Sequence, residues 1–352
     1  MKSLAPHELK RRFGNNLSNN EIIINNQNNE NLNGNIIENN IKNSKKNSQV
    51  PSKAKLAKNI LIKKKYKIKK INDIDPQYLG EYLDEIIKDI KDNESKNILN
   101  YSLINIFDWK DIHNININNR QKMIESIVYH NYMWRLNPDT VYLAVNIMDR
   151  YTNITKFKKN EYELAGLAAF FIASKYEDIY YPDAQHISKL SSFKYHYEEI
   201  LYEERKILLS LDYNLHYISS YKILNLLYYY SDINNITLKY FANMVLEFSL
   251  TDLNIMKYSQ IKRAIGCFIF AQKLLGIKSG KYSIKLFFSY DENEIDKIVR
   301  NLFILLKDII LFNTEQNLIA EKYRSIEFNS IFSNFEHKVK EKYKSKTKSK
   351  IA

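Results

Sequence analysis

Ten consecutive residues, Leu164 to Ala173 (LAGLAAFFIA), are all apolar or glycine. A helix apolar on every side has to be surrounded by other helices. The run is only half of the roughly 20 residues a membrane span requires, so it belongs at the centre of a helical bundle. Ala165, Gly166, Ala168 and Ala169 are small enough to let neighbouring helices approach closely. Asn160 with Glu163 three residues later has the capping-box spacing and marks where this helix starts. Upstream, Asn137 followed by Pro138 is a second helix start, because the Asn side chain takes an orphan amide while Pro gives up a donor the first turn does not need. Val141, Ala144, Val145, Met148 and Tyr151 then recur at helical spacing. Where the apolar run ends, Lys175, Tyr176, Glu177 and Asp178 emerge together.

The rest of the chain agrees with an all-α class. Only 7 Gly and 5 Pro, against 27 Tyr and 17 Phe, leave few tight turns and favour long helices over a sandwich or barrel. At 352 residues the chain is long enough for two core-bearing domains. A shift of 98 residues places Val141–Asp149 (VYLAVNIMD) on Lys239–Glu247 (KYFANMVLE), and Ala168–Lys175 (AAFFIASK) on Gly266–Lys273 (GCFIFAQK). One offset serving two separate helices implies a duplicated helical unit. Tyr195 to Leu215 adds a helix with Ile200, Glu204, Ile207, Leu208 and Leu211 on one face, and Ser283 to Phe312 supplies the last helices of the core.

The net charge of +13 suggests a nucleic-acid partner until its distribution is examined. Residues 1–75 carry +10 and residues 337–352 carry +6, so the part between them is near neutral at −3. A basic groove on the folded body is therefore not expected. The Asn-rich stretch Asn15 to Asn47 lacks periodicity and is read as disordered. Lys53 to Lys70 is a lysine run of the kind that directs nuclear import or forms a nucleic-acid patch, and import is the preferred reading. Tyr78 to Asp92 is an amphipathic helix with Tyr82, Ile86, Ile87 and Ile90 on one side. No long apolar segment follows the first charges, so no signal peptide is expected.

Catalytic and ligand-binding patterns are missing. Cys267, the one cysteine, lies in the apolar run IGCFIFA and reads as a core side chain, and the seven histidines show no HxxxH or HExxH spacing. Gly276–Lys281 (GIKSGK) is one residue short of a phosphate loop and has Tyr282 where Ser or Thr is required. The pairs Glu198–Glu199 and Glu203–Glu204 are adjacent on a helix and point apart. No cofactor, metal, small-molecule substrate or membrane partner is expected, and the chain is not read as an enzyme.

YLAVNIMDRY followed by LAGLAAFFIASKYEDIYYP resembles the cyclin box of A/B-type cyclins in residue order and in the spacing of its halves. The resemblance runs from about Tyr78 to about Asn313. It implies two tandem five-helix repeats: residues 73–216 as the N-terminal box with its preceding helix, and 217–336 as the C-terminal domain, between a tail at 1–72 and a Lys-rich tail at 337–352. It implies an activating subunit of a cyclin-dependent Ser/Thr protein kinase of the G2/M class, located in the nucleus and in part the cytoplasm. Lys175 and Glu204 match the lysine and glutamate that hold the backbone near the kinase's PSTAIRE-type helix. Ile172, Tyr176, Glu177, Leu208, Tyr213 and Leu215 match positions of the apolar kinase contact, and Tyr82 lies on the preceding helix, which in this family touches the kinase. Arg120 and Asp149 match a buried structural ion pair. Asn119 and Ser126 replace the Met and Trp that line the family's groove for RxL peptides, so that docking function is not carried over. Lys10 to Asn19 (KRRFGNNLSN) loosely resembles a destruction box, with Lys10 for its Arg, Phe13 for its Leu and one inserted residue. The alternative is a transcription-related protein of the same fold that binds DNA or a transcriptional kinase.

Overall fold

The structure is a computed structural model, described over residues 85–92, 117–155, 157, 161–192, 194–231, 235–277, 290–312 and 317–351. After a helical segment at 85–92 come α1 (Ile117–Met133), α2 (Pro138–Ile154), α3 (Glu161–Glu177), α4 (Ala184–Leu190) and α5 (Tyr197–Ser210). A second series follows, α6 (Ser220–Ser231), α7 (Ile236–Ser249), the short α8 (Leu253–Met256), α9 (Gln260–Leu275) and α10 (Glu292–Phe312). The chain ends in α11 (Leu318–Arg324), a 3-10 turn (Ile326–Phe328) and α12 (Ile331–Ile351), which continues through the Lys-rich segment. No β-strand occurs among the described residues.

The apolar run lies at the centre, since α3 packs against α1, α2, α4 and α5. In the second series α9 takes the same place, against α6, α7 and α10. The 98-residue offset that aligns α2 with α7 and α3 with α9 also carries α1 onto α6 and α5 onto α10. Two glycines permit the close approaches. A Cβ on Gly166 would lie 2.6 Å from Met123 Cγ, and one on Gly266 would lie 2.5 Å from Ile298 Cγ2. Cys267 is fully buried on α9, and burial pushes its thiol up to about 12.

Asn137 caps α2 by accepting from the Asp139 amide at 3.1 Å, with Pro138 in the first turn. Glu163 has a tertiary role. Its carboxylate accepts from Lys194 Nζ at 2.5 Å and from the Tyr195 hydroxyl at 3.3 Å, and Asn160 lies outside the described residues. Ile87 and Ile90 of the preceding helix are buried in the core with Ile86 packed beside them, whereas Tyr82 lies outside the described residues. The core does not close at Phe312 as the sequence reading has it, because Ile319, Ala320, Tyr323, Phe332 and Phe335 are also buried. The seven-residue α11 is too short to display a full apolar period in sequence.

Buried polar contacts fasten the two series and α11 together. The guanidinium of Arg120 (α1) donates to both carboxylate oxygens of Asp149 (α2), at 2.9 and 2.8 Å, and its third donor reaches the Leu250 carbonyl at the end of α7, at 2.7 Å. Asn317 donates to Glu125 of α1 at 2.8 Å, and Lys322 of α11 donates to Glu247 of α7 at 2.6 Å. Asp139, in the first turn of α2, accepts from the Ser219 hydroxyl and lies 3.9 Å from Lys222 Nζ. Burial pushes its carboxyl up to about 6, with Lys222 and Ser219 pulling the other way and Glu177 adding to the rise.

Four stability measurements follow from this packing. Gly266→Ala forces a branched side chain to move and should cost about 1–3 kcal/mol in denaturant unfolding. Gly166→Ala meets only the flexible Met123 side chain and should cost less. Arg120→Ala leaves Asp149 charged and unpaired, and is expected to cost about 3–5 kcal/mol. Asp139 has a folded-state pKa above its ordinary 3.8, so its stabilising contribution is complete below that value and is lost as pH rises through about 6. Relative to the parent, Asp139→Asn should therefore gain about 1–3 kcal/mol between pH 4 and pH 7. A constant difference across that range would show that Asp139 titrates normally.

Candidate functional site

The site is built where α3 leaves the core. Ser174 is still buried, and the next residue, Lys175, is the first long polar side chain to reach the surface. It sits in the last turn of α3, where a cation meets the negative end of the helix dipole. Its ammonium donates to Glu204 of α5 and lies 4.2 Å above the Phe171 ring. The lysine side chain is 31% exposed and the glutamate 10%, so the pair lies at the rim of the core, open on the lysine side. Neighbouring Glu203 does other work. It accepts from the Tyr151 hydroxyl at 2.9 Å and from Lys206 Nζ at 2.8 Å, tying α5 to α2.

Beyond Lys175 the chain is held by Asp178. Its carboxylate accepts from the Asn137 amide at 2.6 Å and from the Thr140 hydroxyl at 2.7 Å, anchoring the end of α3 to the start of α2. The residues that follow have nothing to pack against: Ile179 is 88% and Tyr180 84% exposed, and Tyr181 and Tyr176 are also open to solvent. On α5, Leu201 and Tyr202 are exposed before Glu204, and Leu209 after it. The helix ends with Asp212 and Tyr213 both in the left-handed region, at φ 50 and 54, which leaves Tyr213 exposed. That turn is pinned by Tyr213 N donating to the Leu208 carbonyl at 2.9 Å and by Arg150 donating to the Asn214 carbonyl at 2.8 Å.

The residues singled out in sequence divide into three groups. Lys175 and Glu204 meet, and Tyr176 and Tyr213 are exposed. Leu208 and Leu215 are half-buried, packed on the core with an open edge. Ile172 lies inside the core, so it supports the face from beneath and presents no contact of its own. The Glu177 side chain is mostly buried and lies 3.5 Å from Lys222 Nζ of α6, so it serves the junction between the repeats. Sequence reasoning did not single out Asp178 for its anchoring role or Ile179, Tyr180 and Tyr181 as part of the face. Their signal is a cluster of large apolar residues following a helix end with no period to bury them. Near the altered groove, Asn119 is exposed, and Ser126 lies 3.2 Å from His130 Nδ1. Burial lowers the His130 pKa, against the Ser126 carbonyl bond that raises it. Among the described residues no group of three or more His, Cys, Asp or Glu could hold a metal ion, and no helix is long and apolar enough to cross a membrane.

Comparison with known proteins gives the same outline. The profile described as "Cyclin, N-terminal domain" matches residues 85–216, and "Cyclin, C-terminal domain" matches 216–338. The G2/mitotic-specific cyclin cdc13 of Schizosaccharomyces pombe is 29% identical over 195 residues, 55% of this chain and 39% of that protein. The G2/mitotic-specific cyclin-B of Emericella nidulans is 27% identical over 257 residues, covering 72% and 51% of the two chains. The human G2/mitotic-specific cyclin-B2 is 26% identical over 273 residues, covering 73% and 64%. The matches thus span between about two fifths and two thirds of the length of these relatives. The X-ray structure of a viral cyclin from herpesvirus saimiri shares the fold, with a TM-score of 0.56 and 17% identity, over 62% of this chain and 96% of that one. With both halves of the family matched in order from residue 85 to residue 338, the chain belongs to the cyclin family.

Proposed function

We propose that the chain is the activating regulatory subunit of a cyclin-dependent Ser/Thr protein kinase acting at G2/M. Members of the cyclin family are regulatory subunits and not enzymes, and the relatives compared above are named as G2/mitotic-specific cyclins. The observation that carries the proposal is the Lys175–Glu204 pair at the rim of the core, beside the exposed Tyr176, Ile179 and Tyr180. A charged pair able to exchange one partner for backbone groups, flanked by apolar side chains, suits the end of a helix on another protein. Docked on the kinase, this face would hold its PSTAIRE-type αC helix inward, so that the helix's Glu meets the ATP-positioning Lys. All the chemistry stays in the kinase, and this chain supplies a shift in its conformational population.

Kinase affinity and unfolding, measured on the same variants, test the assignment. Lys175→Ala and Glu204→Ala should change unfolding by no more than about 1 kcal/mol, because the lysine is partly exposed to water. Loss of a charged interface contact costs about 2 kcal/mol or more, so binding should weaken by more than tenfold. Variants that bind and activate the kinase like the parent would remove this face from the interface. We propose nuclear accumulation, with a cytoplasmic fraction, directed by Lys53–Lys70, a segment outside the described residues. Replacing its lysines with Gln should lower nuclear accumulation while leaving kinase activation intact, and an unchanged distribution would exclude it as the import signal.

A further inference from the structure

The internal repeat gives the second series its own counterpart of the α3–α5 rim. Shifting by 98 residues carries Lys175 onto Lys273 and Tyr176 onto Leu274, at the end of α9. Lys273 also pairs with an acid on the partner helix, donating to Asp296 of α10 at 3.0 Å. The position of Glu204, however, is taken by Leu302, which is buried, so the ion pair has moved toward the start of α10. Two turns along the same stripe, about 10.5 Å from Asp296, Phe303 and its neighbour Ile304 stand in the open, 50% and 54% exposed. Leu274 is exposed beside Lys273.

We infer that this outward face of α10 is a second docking surface, and that its occupant is an acidic segment of another protein presenting one large apolar side chain. The apolar component is Phe303 and Ile304. The sign of the partner follows from the charges around them: Lys297 and Arg300 are exposed within the two turns before Phe303, and the carboxylate of Asp296 is engaged by Lys273. Asp308, one turn beyond Ile304, is an exposed charge of opposite sign, as is Glu292 near the start of α10, and Asp296 stays exposed while paired with Lys273. A basic segment would meet Lys297 and Arg300 unfavourably, while an acidic one would pair with both as its apolar residue covered Phe303 and Ile304. Because α10 is in the second series, this surface is separate from the one proposed for the kinase.

The test is selection from a library of random displayed peptides on the full chain, repeated on Phe303→Ser/Ile304→Ser and on Arg300→Glu. Circular dichroism and kinase activation serve as controls for folding and for the other face. The inference requires that the parent enrich peptides with Asp or Glu around a Phe, Leu or Ile. Binding of those peptides should fall at least about tenfold in either variant and weaken with added salt, while kinase activation stays as in the parent. The absence of an acidic consensus would overturn it, as would peptides that bind the variants equally well. A parent dimer dissolved by the double substitution would also overturn it, by showing a second copy of the chain as the occupant. Loss of kinase activation in Lys175→Ala with peptide selection unchanged would separate the two surfaces.

Discussion

The guanidinium of Arg120 is almost entirely removed from water, a transfer that costs several kcal/mol unless its donors are satisfied. Asp149 and the Leu250 carbonyl satisfy it from opposite sides, one on α2 and one at the end of α7. The geometry tolerated by those bonds fixes α1, α2 and the end of α7 in the second repeat relative to one another. The functional face inherits that precision, because α2 is also the element that fastens it. The start of α2 supplies the two donors that hold Asp178, and its last turns supply Tyr151, which holds Glu203 on α5. A surface that must fit another protein is in this way supported by groups that never reach it.

Much of this was legible before any coordinates. A ten-residue run with no polar side can only be central, and the single offset shared by two helices extends to four helix pairs. The Arg120–Asp149 pairing and the shared role of Lys175 and Glu204 came from the family resemblance, while the contact between Lys175 and Glu204 came only with the structure, since spacing alone cannot bring together residues 29 positions apart. Other contacts left no local trace. Glu247 stands at the repeat position of Asp149, yet its base, Lys322, comes from α11, 75 residues on. Glu163 has the spacing of a cap, and its bonds to Lys194 and Tyr195 are contacts that only tertiary structure creates. Ile172 and Glu177 matched the family pattern in sequence, while the direction in which each side chain points was decided by the packing of α3 against its neighbours and by Lys222.

The two repeats also show how one scaffold can carry different surfaces. Inward-facing positions are constrained by packing, as the glycines against Met123 and Ile298 illustrate. At the rim the constraint relaxes. There Leu302 replaces Glu204 as a buried residue, and the lysine that persists as Lys273 turns to a different acid. The fold therefore specifies where a rim exists, and a handful of rim side chains decide what it meets.

Cys267 gives this chain a means of reporting on itself. The thiol is the only one in the sequence, has no exposure in the folded protein and is held in its unreactive protonated form by burial. An alkylating reagent can reach it only in molecules whose second repeat has opened, and only there does the thiolate form at ordinary pH. The rate at which the native chain is labelled thus counts openings of that repeat, one molecule at a time. A bound partner that holds the second repeat shut would register as a slower clock, without any probe having been introduced.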